Sequence, residues 1–290
     1  MIDVSHKSLH AAYPALFVFL WSTGFIGAKL GLPYAEPATF LVIRFALVLA
    51  LLLPICFLWR ARWPSPKGAF DMGVAGVLIQ AGYLGGVFTS LHHGMPAGVS
   101  ALITGLQPIF TALLSGWLLK EQVTRVQWLG LVLGLLGVLL VVGERVMAAH
   151  VGATAMLLSL LALASITLGT VWQKRHGGGV DLRTGAAIQF MAALIVIAAF
   201  ALAFETREVR WTGELVFAIA WLAVALSLGA IFLLLYLIRH GGATRVASLF
   251  YLVPPTTALL AWPLFGETYG LAAAAGMGLA MLAVWLVTKQ

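Results

Sequence analysis

Apolar residues run along this chain in blocks of roughly twenty, and short polar stretches separate the blocks. An α-helix that rises 1.5 Å per residue needs about 20 residues to cross a hydrocarbon core of about 30 Å. The pattern therefore predicts ten membrane-spanning helices joined by short connections. The predicted spans are 12–30, 37–59, 70–91, 97–119, 125–142, 152–173, 184–204, 213–238, 244–265 and 269–288.

Composition supports the membrane interpretation and excludes several other classes of protein. Hydrophobic residues make up 62% of the chain and charged residues only 9%, whereas about a quarter of the residues of a soluble domain are charged. The net charge of +7 comes from small basic groups between the apolar blocks, so we predict no nucleic-acid partner. A single cysteine, Cys56, builds no disulfide framework or cysteine metal site within one chain. We predict no cofactor and no metal.

The basic residues also predict an orientation. Twelve of the 17 Lys and Arg residues lie at the two termini and in alternate connections, four lie in the opposite connections, and Arg44 falls inside the second span. Because cytoplasmic connections of membrane proteins are enriched in Lys and Arg, we predict a multi-pass protein of the plasma (inner) membrane with both termini in the cytoplasm. The oligomeric state is left open.

The two halves of the chain resemble each other. At an offset of 146 residues Pro108 aligns with Pro254 and Glu121 with Glu267, in the fourth and ninth spans. Since each unit holds five spans, an odd number, the second unit enters the membrane from the opposite side. We therefore predict two inverted five-helix repeats, residues 1–146 and 147–290. Earlier pairs, at an offset of 145, are Gly24 with Gly169, Thr39 with Thr184 and Phe45 with Phe190.

These features resemble the drug/metabolite transporter superfamily, specifically its ten-helix exporters with two EamA-type repeats. The resemblance is carried by the doubled unit and by the proline within, and the glutamate at the end of, the fourth and ninth spans. The second unit departs from the pattern, since Gln189 stands where Arg44 would recur. The resemblance implies an all-α membrane fold and export of amino acids, aromatic and small neutral ones included, or of other metabolites or drugs. First-unit residues that also match are Trp21, Ser22, Lys29 and Arg44.

Transport between two inverted repeats requires a cavity near the membrane midplane and helices that bend around it. Pro108 and Pro254 each remove a backbone donor, so we predict kinks that serve as hinges, with static kinks as the alternative. Glu121 and Glu267 end their spans, and we assign them to helix termination or gate contacts.

Polar and aromatic side chains within spans tend to face the interior of a helix bundle. Trp172 also fits an interfacial anchor beside Lys174, and the glutamines also fit structural bonds between helices. The predicted lining of the solute cavity is Trp21, Gln80, Tyr83, Thr104 and Gln107 from the first unit, with Trp172, Gln189 and Tyr251 from the second.

The charged residues inside the predicted spans narrow the range of solutes to be expected. Arg44 lies seven residues into its span, about 10 Å deep at 1.5 Å per residue, where it either extends toward the membrane surface or binds a substrate carboxylate. No Asp or Glu falls well inside a predicted span, although a buried carboxylate is the usual means of exchanging protons for cationic drugs. This favours neutral or zwitterionic solutes, and a proton-coupled multidrug exporter is the alternative.

Other classes of function find less support in the sequence. An intramembrane enzyme needs a buried nucleophile with its base, paired aspartates or zinc-binding histidines, and no such set is recognisable. A channel or a sensor is a further alternative of a different class. We therefore predict a secondary transporter, not an enzyme, whose partners are a small-molecule solute and the lipid bilayer. It exports small neutral or zwitterionic solutes, foremost amino acids or related metabolites, by alternating access.

Overall fold

A computed structural model of the chain describes residues 3–95, 100, 103–118, 122–147, 152–241, 243–265 and 270–288. The described residues form ten helices in the predicted order. Glu121 and Glu267, which we assigned to helix termination or gate contacts, lie outside the described residues. Their bounds are Asp3–Gly31 (α1), Pro37–Leu58 (α2), Pro66–His92 (α3), Gln107–Leu118 (the regular part of α4), Arg125–Met147 (α5), Ala153–His176 (α6), Leu182–Phe204 (α7), Gly213–His240 (α8), the consecutive pieces Ala243–Ser248, Leu249–Leu252 and Val253–Phe265 (α9), and Leu271–Thr288 (α10).

Length and composition make these helices membrane spans. Five of the described helices, α2, α3, α6, α7 and α8, are long and apolar enough to cross a bilayer, and shorter apolar stretches lie in α1, α5 and α10. Polar residues set the helix starts: the Ser65 hydroxyl accepts from the Gly68 N–H before α3, and the Asp181 carboxylate accepts from the Arg183 N–H before α7. The predicted all-α membrane protein is confirmed.

Helices of one repeat pack antiparallel against helices of the other, and glycines permit the close approach. On α5, a Cβ added at Gly137 would lie 2.7 Å from the carbonyl oxygen of Gly276 on α10. Seven residues earlier, a Cβ on Gly130 would lie 2.8 Å from the Val287 side chain, further along α10. Small residues let helix backbones meet where lipid supplies no hydrophobic driving force. The cross-repeat pair α5–α10 is therefore tightly packed and antiparallel.

The pseudo-twofold axis passes between α2 and α7. Phe45 and Phe190 occupy equivalent positions in the two repeats, both are fully buried, and their ring centroids lie 5.6 Å apart. Two equivalent residues touch each other only where the symmetry axis runs between them. The contact therefore confirms the two inverted five-helix repeats, whereas the repeat boundary at residue 146 stays a prediction.

Both ends of the α2–α7 pair are tied by hydrogen bonds. At the start of α2, the Glu205 carboxylate accepts from the N–H groups of Ala38 and Thr39 and from the Thr39 hydroxyl, each at 2.7 Å. At the opposite end, the hydroxyl of the equivalent residue Thr184 donates to the Arg62 carbonyl at 2.8 Å. A carboxylate at a helix N-terminus satisfies free donors and complements the helix dipole. Hydrogen bonds therefore join α2 and α7 at both ends of the pair.

Irregular turns occupy equivalent places in the two repeats, which the apolar pattern did not predict. A π-helical stretch in α3, Val77–Leu84, has its counterpart in α8 at Leu222–Ala230. In α9 a 3₁₀ turn, Leu249–Leu252, precedes the final helical piece. Such departures from α-helix concentrate at functional sites, so they point to the centre of the bundle.

Replacing Glu205 by alanine leaves two N–H groups and a hydroxyl at the start of α2 without their acceptor. We expect a loss of about 1–3 kcal/mol in the free energy of unfolding, the range for hydrogen bonds to a charged group. Thermal unfolding in detergent should show a lower Tm for Glu205→Ala than for Glu208→Ala, an exposed carboxylate in the same connection. Equal Tm values for the two variants would contradict the capping role.

Candidate functional site

Two small cavities between the helices share a pair of aromatic rings in their walls. The Trp21 and Tyr83 rings are nearly parallel, with centroids 6.2 Å apart and planes at 17°, and both side chains line both cavities. The larger cavity, about 30 Å³, is completed by Gly24, Ala28, Arg44, Leu84, Val87, Phe88, Leu91 and Leu226. The smaller, about 10 Å³, is completed by Thr104, Gly105, Phe250, Val253 and Pro254.

Neighbouring aromatic rings fix the position of Trp21. Its ring centroid lies 5.2 Å from that of Phe17, one turn earlier on α1, and 5.1 Å from that of Phe250 in the 3₁₀ turn of α9. Ring pairs at these distances attract one another beyond the area that they bury. The indole is thus held between α1 and α9, and its remaining face points toward Tyr83 on α3.

Arg44 is the charged group of the larger cavity. The side chain is fully buried, and its Nε donates to the Ser227 hydroxyl at 3.0 Å. Within the described part of the chain, neither Nη1 nor Nη2 has a hydrogen-bond partner, and no carboxylate there forms an ion pair with the guanidinium. A buried cation without a counter-charge costs several kcal/mol. The two free nitrogens are thus buried donors without an acceptor, and the predicted role of Arg44 in binding a carboxylate stays a prediction.

Ser227 was not among the residues predicted from the sequence. It lies in the π-helical stretch of α8, fully buried, and brings a residue of the second repeat to an arginine of the first. A signal was available, because Ser227 is the one hydroxyl-bearing side chain between Glu214 and Tyr236 in an otherwise apolar block. A lone polar residue in a span usually has a partner inside the bundle.

The structure brings together part of the predicted lining. Trp21, Tyr83, Thr104 and Arg44 meet at the two cavities. Pro254 reaches the smaller cavity from the first turn of the helical piece that follows the 3₁₀ turn. In α4, Gly105 and Leu106 form a turn directly before Gln107 and Pro108. Both helices are therefore irregular just before their prolines, and the hinge role stays a prediction.

The remaining predicted residues line neither of these cavities. Gln107 donates from Nε2 to the Thr170 hydroxyl at 3.2 Å, and Gln189 donates to Gln173 Oε1 at 2.9 Å. Both bonds join helices, as the structural interpretation of the glutamines requires. Gln80 and Tyr251 are fully buried, and neither the amide of Gln80 nor the hydroxyl of Tyr251 has a partner among the described residues.

Trp172 joins two helices near one end of the bundle. Its Nε1 donates to the Asp71 carbonyl of α3 at 3.1 Å, and its ring lies 4.3 Å from that of His176. The indole is partly buried. This position, a few residues before the end of α6, agrees with the anchor interpretation better than with a cavity wall.

The connections at the opposite end of the bundle are joined by hydrogen bonds. Glu36 accepts through Oε2 from the Thr206 hydroxyl at 2.7 Å and from the Arg207 N–H at 3.0 Å. The hydrogen bond from Thr206 holds the pKa of the Glu36 carboxyl below its ordinary value. Since Glu36 precedes α2 and Thr206 follows α7, these bonds join the two connections beyond the start of α2.

Removal of the Ser227 hydroxyl should expose its link to Arg44. With alanine at 227, Arg44 Nε loses its acceptor, so we expect a loss of about 1–3 kcal/mol in the free energy of unfolding. A double-mutant cycle with Arg44→Gln should show an interaction energy of about 0.5–3 kcal/mol, measured by denaturant unfolding in detergent. Ser159→Ala, a buried serine of α6, is the matched control. Additive losses in the cycle would show that the two side chains do not act together.

Comparisons with known proteins add a family and a fold. A model of the EamA-like transporter family matches residues 11–143 and 153–289. An uncharacterized transporter of Bacillus subtilis is 26% identical over 286 residues, covering 98% of this chain and 93% of the relative. An uncharacterized inner membrane transporter of Escherichia coli is 26% identical, covering 97% and 90%. A probable amino-acid metabolite efflux pump of Salmonella typhimurium is 29% identical over 160 residues, covering 55% of this chain and 52% of the pump.

A solved crystal structure superposes on this fold. Its TM-score is 0.80 at 20% sequence identity, and the alignment covers 97% of each chain. Since the identity is low, the likeness concerns the arrangement of the helices. The family match in each half of the chain agrees with the two repeats that the Phe45–Phe190 contact reveals.

Proposed function

Because this chain belongs to the EamA-like transporter family, we propose that it exports small zwitterionic solutes by alternating access, foremost amino acids, aromatic ones included. Transport of a small molecule through the membrane is the activity of the family. Export and the amino-acid class are supported by two partial relatives of 29% identity that are named probable amino-acid metabolite efflux pumps. The residues at the centre of the bundle support the same choice of solute.

The observation that carries the proposal is the buried Arg44 guanidinium. Its Nη1 and Nη2 have no partner among the described residues, while Ser227 holds Nε. Two parallel N–H groups of a guanidinium match the two oxygens of a carboxylate and bind them more strongly than neutral donors do. A solute carboxylate at this point supplies the missing counter-charge. The positive charge of the Arg44 guanidinium repels cationic solutes that have no carboxylate.

The aromatic pair beside Arg44 supports a preference for flat or apolar side chains. Trp21 and Tyr83 line the cavity that Arg44 lines. A solute whose carboxylate lies on the guanidinium places its side chain within reach of these rings, since all three residues share one cavity. Aromatic rings in a bundle interior attract an aromatic guest by dispersion and by edge-to-face contacts. The site is thus suited to an amino acid with an aromatic or aliphatic side chain.

Binding requires the helices to move. The larger cavity measures about 30 Å³, enough for about two waters, whereas pockets that hold small molecules measure about 300–1,000 Å³. This conformation is therefore closed around the site. Pro254 borders the smaller cavity directly after the irregular turn of α9. We propose that the turns before Pro254 and Pro108 are where α9 and α4 bend to admit the solute.

The direction of access follows from the predicted topology. With both termini in the cytoplasm, the connection between α1 and α2 lies at the outer face, so Arg44, seven residues after the start of α2, lies in the outer half of the membrane. Because no Asp or Glu lies well inside a predicted span to exchange protons, we propose that the solute moves down its own gradient. A proton-coupled multidrug exporter is the alternative, and the two differ in the solute that they accept.

Purified protein in liposomes tests the proposal through Arg44→Gln, which removes the charge. We expect the variant to bind and move a panel of amino acids with an affinity at least tenfold lower, because charge-assisted bonds are lost, while amines that lack the carboxylate gain or stay unchanged. Arg207→Gln, an exposed arginine of the connection after α7, is the control. Unchanged amino-acid transport in Arg44→Gln, or proton-driven transport of cationic drugs by the native protein, would overturn the proposal.

A further inference from the structure

The inverted repeat assigns to each residue of the Arg44 cavity a counterpart in the other half of the protein. At the offset of 145 residues, Arg44 corresponds to Gln189 and Ala28 to Gln173. The contact between Phe45 and Phe190 places the symmetry axis one residue away from both Arg44 and Gln189. Gln189 therefore lies across the pseudo-twofold axis from Arg44, displaced toward the face that carries the α6–α7 connection.

The two symmetry-related places differ in one respect. At the Arg44 cavity the short side chain of Ala28 leaves space, and the guanidinium lines that space. At the counterpart, Gln173 replaces Ala28, and the Gln173 Oε1 accepts from Gln189 Nε2 at 2.9 Å. Gln189 is fully buried and Gln173 is 4% exposed. The second place is thus filled by the two amides themselves, whereas the first retains a small cavity of about 30 Å³.

The closed place still holds unpaired polar atoms. Gln189 Oε1 has no hydrogen-bond partner among the described residues, and the same holds for both amide atoms of the fully buried Gln80. Gln80 lies on α3 four residues after Gly76, where α3 is so close to α7 that an added Cβ on Gly76 would overlap the Gln189 carbonyl oxygen. A buried amide without a partner costs about 1–3 kcal/mol. Amides kept at such a cost indicate a partner that arrives in another conformation.

We propose that Gln173 and Gln189 form a second solute station, closed in this conformation and opened when the transporter faces the side of the α6–α7 connection. The inference rests on the proposed function, since it assumes alternating access by a zwitterionic solute. When the two amides part, the NH₂ group of each can donate to the carboxylate of an amino acid, and the carbonyl oxygen of each can accept from its ammonium, without a fixed charge in the protein. The same solute is then held by Arg44 in one access state and by amides in the other.

The test measures the apparent KM from each membrane face, in right-side-out and inverted vesicles. We expect Gln173→Leu, which keeps the volume and removes the amide, to raise the KM for an amino acid at least fivefold from the face of the α6–α7 connection and less than twofold from the other face. Thr167→Ala on the same helix removes a buried hydroxyl that, among the described residues, donates to the Leu163 carbonyl of its own helix. This control should show no difference between the faces.

The reciprocal variant Ala28→Gln copies the closed arrangement into the Arg44 cavity and should raise the KM from the opposite face. Equal KM changes from both faces in Gln173→Leu, or none, would overturn the station. If Gln173→Leu does not fold, Ala28→Gln serves as the test. Equal KM changes from both faces in Ala28→Gln, or no change, would contradict the equivalence of the two places. If Arg44→Gln loses amino-acid selectivity while Gln173→Leu and Ala28→Gln each change the KM equally from both faces, the proposed function is supported and the second station is contradicted.

Discussion

The packing of α2 against α7 is the constraint on which the rest of the bundle depends. Phe45 and Phe190 meet on the symmetry axis, and Glu205 and Thr184 fasten the pair at its two ends. In a bilayer, where helices gain nothing from hydrophobic exclusion by water, such close packing and buried hydrogen bonds decide which helices associate. The remaining helices then pair across the repeats, and both repeats contribute residues to the two cavities.

A buried guanidinium gives this scaffold its chemistry. Ser227 accepts from one nitrogen of Arg44, and the two others have no hydrogen-bond partner among the described residues. In an apolar interior an unpaired charge is expensive and a matched charge is strongly bound. The proposed affinity for a carboxylate and the proposed discrimination against solutes without one both rest on this imbalance. The symmetry-related Gln189 carries no charge, so the two proposed solute sites differ in charge.

The helices, the repeat and part of the candidate site could be predicted from the sequence. Each of these predictions has its own physical reason. Blocks of apolar residues report the bilayer thickness directly, and Arg44 is conspicuous because a cation inside a span is costly. Trp21, Tyr83 and Thr104 were predicted by type and do meet at the cavities. Gln107 and Gln189 were predicted by the same rule, but in this conformation they line neither cavity and donate to residues of α6. Which face of a helix a polar residue occupies depends on tertiary packing, and the π-helical turn that positions Ser227 leaves no signature in an apolar pattern.

The central claim is that the Arg44 site recognises a carboxylate, and equilibrium binding to the native protein tests it most directly. An aromatic amino acid and its methyl ester differ in the charge of one group and little in shape. The account predicts that the ester binds at least tenfold more weakly, a difference of about 1.4 kcal/mol or more. Equal Kd values for the acid and the ester would contradict it, since the guanidinium would then contribute nothing to recognition.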